Sequence, residues 1–574
     1  MATNKHKKKK KRVKLVYNDS TKPKLIIPFV LLLANKILNL IGFVDFIDRS
    51  VEWDPKHWKV TPGNLAKAVI LVTFMEIRVP LFRIKESFIG IDTEALFGEG
   101  VMREHLNDYA IARALDCIND AKPEGLFSTL CLSLYSKFNI AFNRLHSDTT
   151  SISFYGAYEG WEEEGTDALK IAKGYNKDHR PGCKQVVVGK IVNEHGIAVA
   201  SSTMDGNTSD VKWNEKAIDM VKEVFGEKLN QVTYIADSKL INLPMFRQMM
   251  NPTCRIRFIS RCPSNFHNKT ASKVIKRAYQ DNKWIDAGRM GIGKKACTYK
   301  LQEYTETIEG HKVRLLVIQS SAGQGRYQHK LDKLQDELEK DILKVSKKAF
   351  ACEADARAEW ERVEKAHKQK LFKYTVHFNE IKKEKRPVGN PGKVPKAVTV
   401  KTTWKICASI ESIDEAAEKF RQEEECFVLI TSINADELCA IEVLRQYKEQ
   451  IIVEVQFKLM KEPAIADAIF LKTPGRINAL MMLLNVSLLI RALVQYKVRK
   501  SIKESKEEPP RIGWNNRKTE TPTINFIIQA FKKSYVIKVD EDTYRCEFLA
   551  ESERLRVTAI LKLLEINIED FLEQ

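Results

Sequence analysis

From Ile26 to about Lys137 the apolar positions recur three and four residues apart, the spacing of helices that bury one face. "TPGNLAKAVILVTFMEI" opens with Thr61 placed to cap a helix and Pro62 at its first helical position. "NDYAIARALDCI" follows, with Asn107 or Asp108 as its cap. Short helices of this kind suit a helix-turn-helix that enters a DNA groove, and a plain helical bundle equally well. "LIIPFVLLLA" (Leu25–Ala34) and "ALMMLLNVSLLIRALV" (Ala479–Val494) are apolar nearly all round. The first is too short to span a bilayer and the second carries Asn485 and Arg491, so both predict buried helices, and no membrane partner is expected.

The pattern then changes to runs of β-branched residues. "KFNIAFNRLHSD" predicts a strand ending at Asp148, and "KQVVVGKIVNEHGIAVASSTM" predicts two strands around an Asn193–Gly196 turn. "VKWNEKAIDMVKEVFG" has helical periodicity, and "QVTYIAD" is a strand ending at Asp237. Three strands, a helix and a further strand describe the opening of an α/β sheet. Two carboxylates end strands of it, at the edge where open α/β sheets place their sites.

Beyond Asp237 the chain leaves this rhythm. "ACTYKLQEYTETIEGHKVRLLVIQSS" predicts a hairpin turning at Glu309–Gly310. Gln328 to about Leu371 is a long charged helical segment in which Leu331, Leu334, Leu338 and Val345 make a partial heptad. "KRPVGNPGKVPK" reads as a loop, and "VTVKTTWKICASI" and "CFVLITSI" return to strand. The expected division is a basic, disordered arm (1–24), a helical DNA-binding domain (25–137), a core in two parts (138–254 and 427–500) separated by an insertion (255–426), and a linker with a C-terminal region (501–574).

"YKEQIIVEVQFKLMK" (Tyr447–Lys461) is β-branched enough for a buried strand. On a helix, however, Tyr447, Gln450, Glu454 and Lys461 fall within roughly 60° of one another. A core helix with a phenol, an amide, a carboxylate and an ammonium along one stripe is expected.

Charge narrows the partner. Lys and Arg number 94 against 75 Asp and Glu, a net +19, which favours an anionic polymer, nucleic acid before membrane. The arm "MATNKHKKKKKRVK" holds phosphates or simply solubilises; it has no apolar core of the kind a secretory signal carries. The eleven cysteines show no C-x-x-C and no zinc spacing, and read as reduced thiols of a cytoplasmic protein.

Asp148, Asp237 and Glu454 each sit at the edge of an apolar element. Singly, a strand-end aspartate is more often a turn former. Brought together, three carboxylates would repel unless a hard divalent cation neutralised them, and Mg²⁺ or Mn²⁺ suits oxygen donors. Two such ions hold the attacking and leaving oxygens of an in-line phosphoryl displacement.

The order strand-Asp, strand-Asp, insertion, helix-Glu resembles the DDE transposases of bacterial insertion sequences. The branch it resembles carries a Tyr-x2-Arg-x3-Glu-x6-Lys signature, here Tyr447, Gln450, Glu454 and Lys461, with the arginine replaced. "SDTTSISFYG", "GYNKDHRPGCKQVVVGKIV", "GNTSD" and "IADSKL" look like further blocks of the same branch. The resemblance implies a ribonuclease H-like mixed sheet flanked by helices, with a helical N-terminal domain and an insertion of strands and long helix. It implies Asp148, Asp237 and Glu454 as catalytic ligands of two Mg²⁺ (or Mn²⁺) ions. Tyr447, Gln450 and Lys461 would contact the DNA strand end. Double-stranded DNA (terminal inverted repeats and target) is the implied partner, with a homodimer in the DNA complex and a place at the nucleoid. The replaced arginine leaves open whether cleavage passes through a hairpin. The alternatives are a transposase-derived DNA-binding protein or repressor without catalysis, and a nuclease of the same core that hydrolyses without joining.

Overall fold

A computed structural model describes residues 25–569 except 76–78, 157, 159–167, 292–295, 368–370, 386–398, 463–470, 506–507, 514–516 and 541–542. The basic arm and the loop at 386–397 lie outside the described residues. The chain divides into two compact units, one drawn from Met1–Ala141, Thr150–Thr208 and Val455–Gln574, the other from Phe142–Thr149 and Ser209–Glu454.

The first unit is mainly helical. Its strand β1 (Ile26–Pro28) pairs antiparallel with Ser534–Lys538, and the helix α1 (Phe29–Leu40) starts only after Pro28. "LIIPFVLLLA" is therefore part strand and part buried helix. Helix α2 (Phe43–Ser50) and helix α3 (Pro62–Val72) follow. The Thr61 hydroxyl accepts from Asn64 N–H at 3.2 Å, and Asn107 accepts from Ala110 N–H at 3.0 Å to cap Asp108–Asp120. Both starts are where the sequence places them.

Helices α1, α3 and Asp108–Asp120 pack on Pro474–Glu504, as do Pro123–Lys137 and Glu551–Leu564. That helix is long and apolar enough to cross a membrane, yet 94% of its apolar window is buried inside the protein. A helix apolar all round belongs in a core. Two of its polar side chains bond to one residue there: Ser487 Oγ shares a 2.6 Å hydrogen bond with Thr73 Oγ1, and Arg491 Nη2 donates to Thr73 O at 2.7 Å.

Strand β2 (Arg144–Phe154) is divided between the units, its residues up to Thr149 counted in the second and those from Thr150 in the first. It runs on past Asp148, correcting the expected strand end there; the β-branched "TTSISF" keeps the backbone extended. In the first unit β3 (Lys184–Asn193) and β4 (Ala198–Met204) form the expected hairpin. Asn193 Oδ1 accepts from His195 N and Ile197 N, both at 3.0 Å, and Gly196 takes the left-handed φ of 79°.

In the second unit β5 (Thr233–Ala236) and β6 (Arg257–Arg261) are laid parallel to β2, in the order β2-β5-β6. The sheet continues through antiparallel strands. These are β7 (Ile285–Met290), β8 (Cys297–Ile308) and β9 (His311–Ser320), the last two turning at Glu309–Gly310 as expected. The excursion beyond them carries a two-stranded pair, β10 (Phe372–Lys385) and β11 (Thr399–Ser412). Strand β12 (Cys426–Thr431) then returns between β6 and β9, so the sheet reads β2-β5-β6-β12-β9-β8-β7.

The span 255–426, expected as an insertion, therefore supplies strands of the main sheet. Its strands after β6 depart from the strand-helix-strand rhythm because they pair antiparallel, which needs no crossover helix. What stands apart is 321–425: helices Ser321–Lys347, Glu353–Ala366 and Asp414–Glu425 with β10 and β11. Leu338, Val345, Trp360, Val363, Phe372 and Ile406 form its own core, with Leu331 and Leu334 packed at the side. The leucine repeat is spent within the chain.

Candidate active site

The β2–β5 register decides where the first two carboxylates stand. Arg144 is level with Thr233, Leu145 with Tyr234 and His146 with Ile235. The pairing ends there, and Asp148 and Asp237 each follow its last level pair, His146 and Ile235, by two positions. Both aspartates are half-buried. Asp148 Oδ1 accepts from Thr149 N at 2.7 Å. Asp237 Oδ1 accepts from Lys239 N at 3.0 Å, which caps the short turn Ser238–Leu240. From β6, Ser260 Oγ donates to Asp237 O at 2.7 Å and holds that strand end. Thr149 Oγ1 donates to Asp210 Oδ1 at 2.5 Å, and Trp213 Nε1 to Ser147 Oγ at 3.0 Å, which anchors the helix Asp210–Phe225 to β2.

Tyr447–Lys461 is not one continuous helix. Tyr447 lies on Ala440–Lys448, Gln450 in a turn, and Glu454 on Ile451–Met460. Through the turn the hydrogen bonds shorten to three-residue steps: Gln450 N to Tyr447 O (3.2 Å), Ile452 N to Glu449 O (2.9 Å) and Val453 N to Gln450 O (3.1 Å). Such a step winds tighter than an α-helix and changes the expected stripe. Arg144 Nε stands 3.1 Å from Glu449 Oε2 in this turn.

The turn does not disperse the polar groups. The Tyr447 phenol is pushed up to about 12, first by burial, then by the charges of Asp237, Glu454 and Asp148, with Arg261 acting the other way. The charges of three carboxylates from elements far apart in sequence thus reach one phenol. Glu454 is exposed, and Gln450 Nε2 reaches Ser147 O at 3.5 Å.

Lys461 belongs to the first unit, where its Nζ is 2.6 Å from Asp178 Oδ1. Asp178 is presented by an Asn176 turn, whose Oδ1 accepts from Asp178 N (2.9 Å) and Arg180 N (3.2 Å).

Two neighbours escaped the sequence reading. Arg261 ends β6 within electrostatic reach of Tyr447; its signal was a basic residue ending the strand "RFISR", in a span taken for an insertion. His146 is buried two residues before Asp148, and burial, aided by Arg144, lowers it to about 3, so it is neutral at physiological pH.

Carboxylate oxygens are the donors a hard divalent cation takes. Among the described residues, however, no group of three or more His, Cys, Asp or Glu is arranged to hold a metal ion. By chemistry the oxygen donors of Asp148, Asp237 and Glu454 fit such an ion.

Residues 29–132 match a family described as a domain of unknown function (DUF4277), which covers the N-terminal helices and none of the carboxylates above. No curated protein matches the chain. Among solved structures it is similar to a piggyBac transposase, determined by electron cryo-microscopy as a synaptic complex with hairpin DNA. The identity is 9%, the coverage 96% of this chain and 86% of that one, and the TM-score 0.38.

Proposed function

We propose that the chain is a DNA transposase of the DDE type, acting on the terminal inverted repeats of an insertion sequence. The observation that supports this reading is that the charges of Asp148, Asp237 and Glu454 all act on the half-buried Tyr447 phenol, in a chain of net charge +19. Those three residues would hold the metal. Bound Mg²⁺ or Mn²⁺ supplies activation of water or a 3′-hydroxyl and neutralises charge on the phosphate. The chain's own groups do the positioning. Tyr447 stays protonated and offers a phenolic hydrogen bond to the strand end, Gln450 offers an amide, and Lys461 offers a point charge to phosphate. Gln450 has neither the charge nor the planar fork of an arginine, so it grips a phosphate more weakly. The second reading is a DNA-binding protein of this fold that does not cut.

The test is incubation of the protein with a supercoiled plasmid bearing the flanking repeats and Mg²⁺. Cleavage and strand transfer by the parent are expected, with loss of more than about 100-fold in Asp148→Asn, Asp237→Asn or Glu454→Gln, beyond what outer-shell changes cost. Repeat binding should persist in all three. A parent that binds the repeats and leaves them intact would put the binding-only reading in its place.

A further inference from the structure

The first unit contains a cavity of about 300 Å³ that the proposed DNA chemistry does not use. It is bounded by α1, the start of α2, α3 and the short helix Glu94–Phe97. The size is at the lower end of the range for small-molecule pockets.

Its polar lining is unusual for a space between packed helices. Asn35 and Asn39 come from one face of α1, and Asn64 and Lys67 from one face of α3, because residues three or four apart on a helix are neighbours. Asn35 is 5% exposed, and its Oδ1 is buried without a hydrogen-bond partner. Such an atom costs free energy unless something supplies a donor. Lys67 is also 5% exposed and among the described residues forms no ion pair. Its ammonium donates to Leu96 O and lies 5.3 Å from the centre of the Phe97 ring. One of its three donors is thereby used. Burial alone lowers it to about 8, so near neutrality it is a largely protonated cation held away from water.

The third contribution is backbone. Helix α2 begins at Gly42, which has a φ of 65°, and no side chain caps it. The first-turn residues Phe43, Val44 and Asp45 line the cavity, and a helix leaves the N–H groups of that turn without intrahelical partners. Gly63 lets α3 come this close: a Cβ there would stand 2.5 Å from Val44 O. Asp45 is the carboxylate of the lining; it is exposed, with Arg49 3.6 Å away.

We infer that this cavity is a binding site for a phosphomonoester of a small hydroxyl- or amino-bearing molecule, of the size and chemistry of a nucleoside monophosphate. The phosphoryl oxygens accept from Lys67, the α2 N–H groups and the asparagine amides. The ligand's own donor satisfies Asn35 Oδ1. A carboxylate would satisfy fewer of these donors, and a wholly apolar ligand would leave the cation and the amides desolvated without partners.

The experiment is calorimetric titration of the full chain with AMP, inorganic phosphate and adenosine. AMP is expected to bind, with adenosine weaker by about tenfold or more, the worth of a charge-assisted hydrogen bond. Lys67→Met should weaken AMP by about the same factor while its melting temperature stays at or above the parent's, because an unpaired buried charge has been removed. Asn39→Ala, at an exposed position that folding tolerates, should weaken it several-fold. A 5′-phosphorylated oligonucleotide is titrated beside its unphosphorylated twin. A Lys67-dependent gain there, with none for AMP, keeps the phosphomonoester chemistry and assigns it to a DNA end. Equal binding of AMP and adenosine, or parental AMP affinity in both variants, would overturn the site.

Discussion

His146 stands level with Ile235 across a parallel strand pair, and each lies two residues before an aspartate, Asp148 and Asp237. Level residues in a parallel pair share a face and keep their separation as long as the pairing holds. The pairing thus fixes the stems from which the two aspartates follow, while Glu454 comes from a helix that follows a tightened turn.

If the three serve one metal cluster, their losses should not add. The double variant Asp148→Asn/Glu454→Gln is expected to cleave repeat DNA no more slowly than either single variant, because groups that act as a unit are lost together. Mn²⁺ binding followed by calorimetry gives a readout apart from activity. Each single change should weaken it by more than about tenfold, the lower bound for outer-shell partners. Parental Mn²⁺ affinity in Glu454→Gln would remove that residue from the cluster.

Tyr447 should behave as a permanent hydrogen-bond donor. Burial and the three surrounding carboxylates disfavour the phenolate and place its ionisation at about 12. In an ultraviolet titration, the difference between the parent and Tyr447→Phe should show no phenolate below about pH 11, a unit above the ordinary tyrosine value. Replacing Asp237 by Asn should move that ionisation downward, since one opposing charge is gone. A Tyr447 that ionises near 10 would contradict the convergence itself.

The Lys461–Asp178 pair, 2.6 Å apart and with side chains 26% and 37% exposed, is predicted to be a competitor of phosphate more than a brace. Partly exposed pairs contribute about 1 kcal/mol or less, so Asp178→Asn should barely change the melting temperature. Its DNA affinity should rise. Lys461→Met should lower affinity and flatten the plot of log K against log salt by about 0.9, the value of one phosphate contact. An unchanged slope would leave Lys461 with no role at the backbone.

Lys190 should act on stability alone. Its side chain is fully buried, its Nζ has no hydrogen-bond partner, and burial lowers it to about 7, partly offset by Cys131. The unfolded chain thus holds a proton that the folded chain releases between about pH 7 and the ordinary value of 10.5. Stability should rise with pH across that window, by up to about 1.4 kcal/mol per unit. Lys190→Met should raise the melting temperature at pH 7 and flatten the rise. A variant less stable than the parent at pH 7 would mean that the ammonium is satisfied in solution.

Much of this was legible because it is local. Thr61 and Asn107 mark helix starts through a hydroxyl and an amide three residues before an N–H. Asn193–Gly196 marks a hairpin through one left-handed position. Asp237 could be placed because its strand stops beside it. The errors lie where distant partners decide. The β-branched "TTSISF" after Asp148 favours extension, yet where β2 ends is decided by the strands it pairs with. Nothing in "RFISR" says that it lies between β5 and β12. The turn at Glu449–Gln450 breaks a helix that periodicity draws unbroken, and its partner, Arg144, lies some three hundred positions away in the sequence. The Asn35–Lys67 cavity was invisible for the same reason: two unremarkable helices make it only by facing each other.

The pairing of Gln319 with Cys426 puts the two ends of 321–425 side by side. Topologically, β9 and β12 are a β-hairpin, and that entire stretch is its loop. Loop closure grows only logarithmically with length, about 0.6 kcal/mol for each doubling, so the sheet pays little for so large a connection. Because the loop has its own core around Leu338 and Trp360, it is an exchangeable cassette: its length and shape are free to vary without shifting the register that holds His146 level with Ile235.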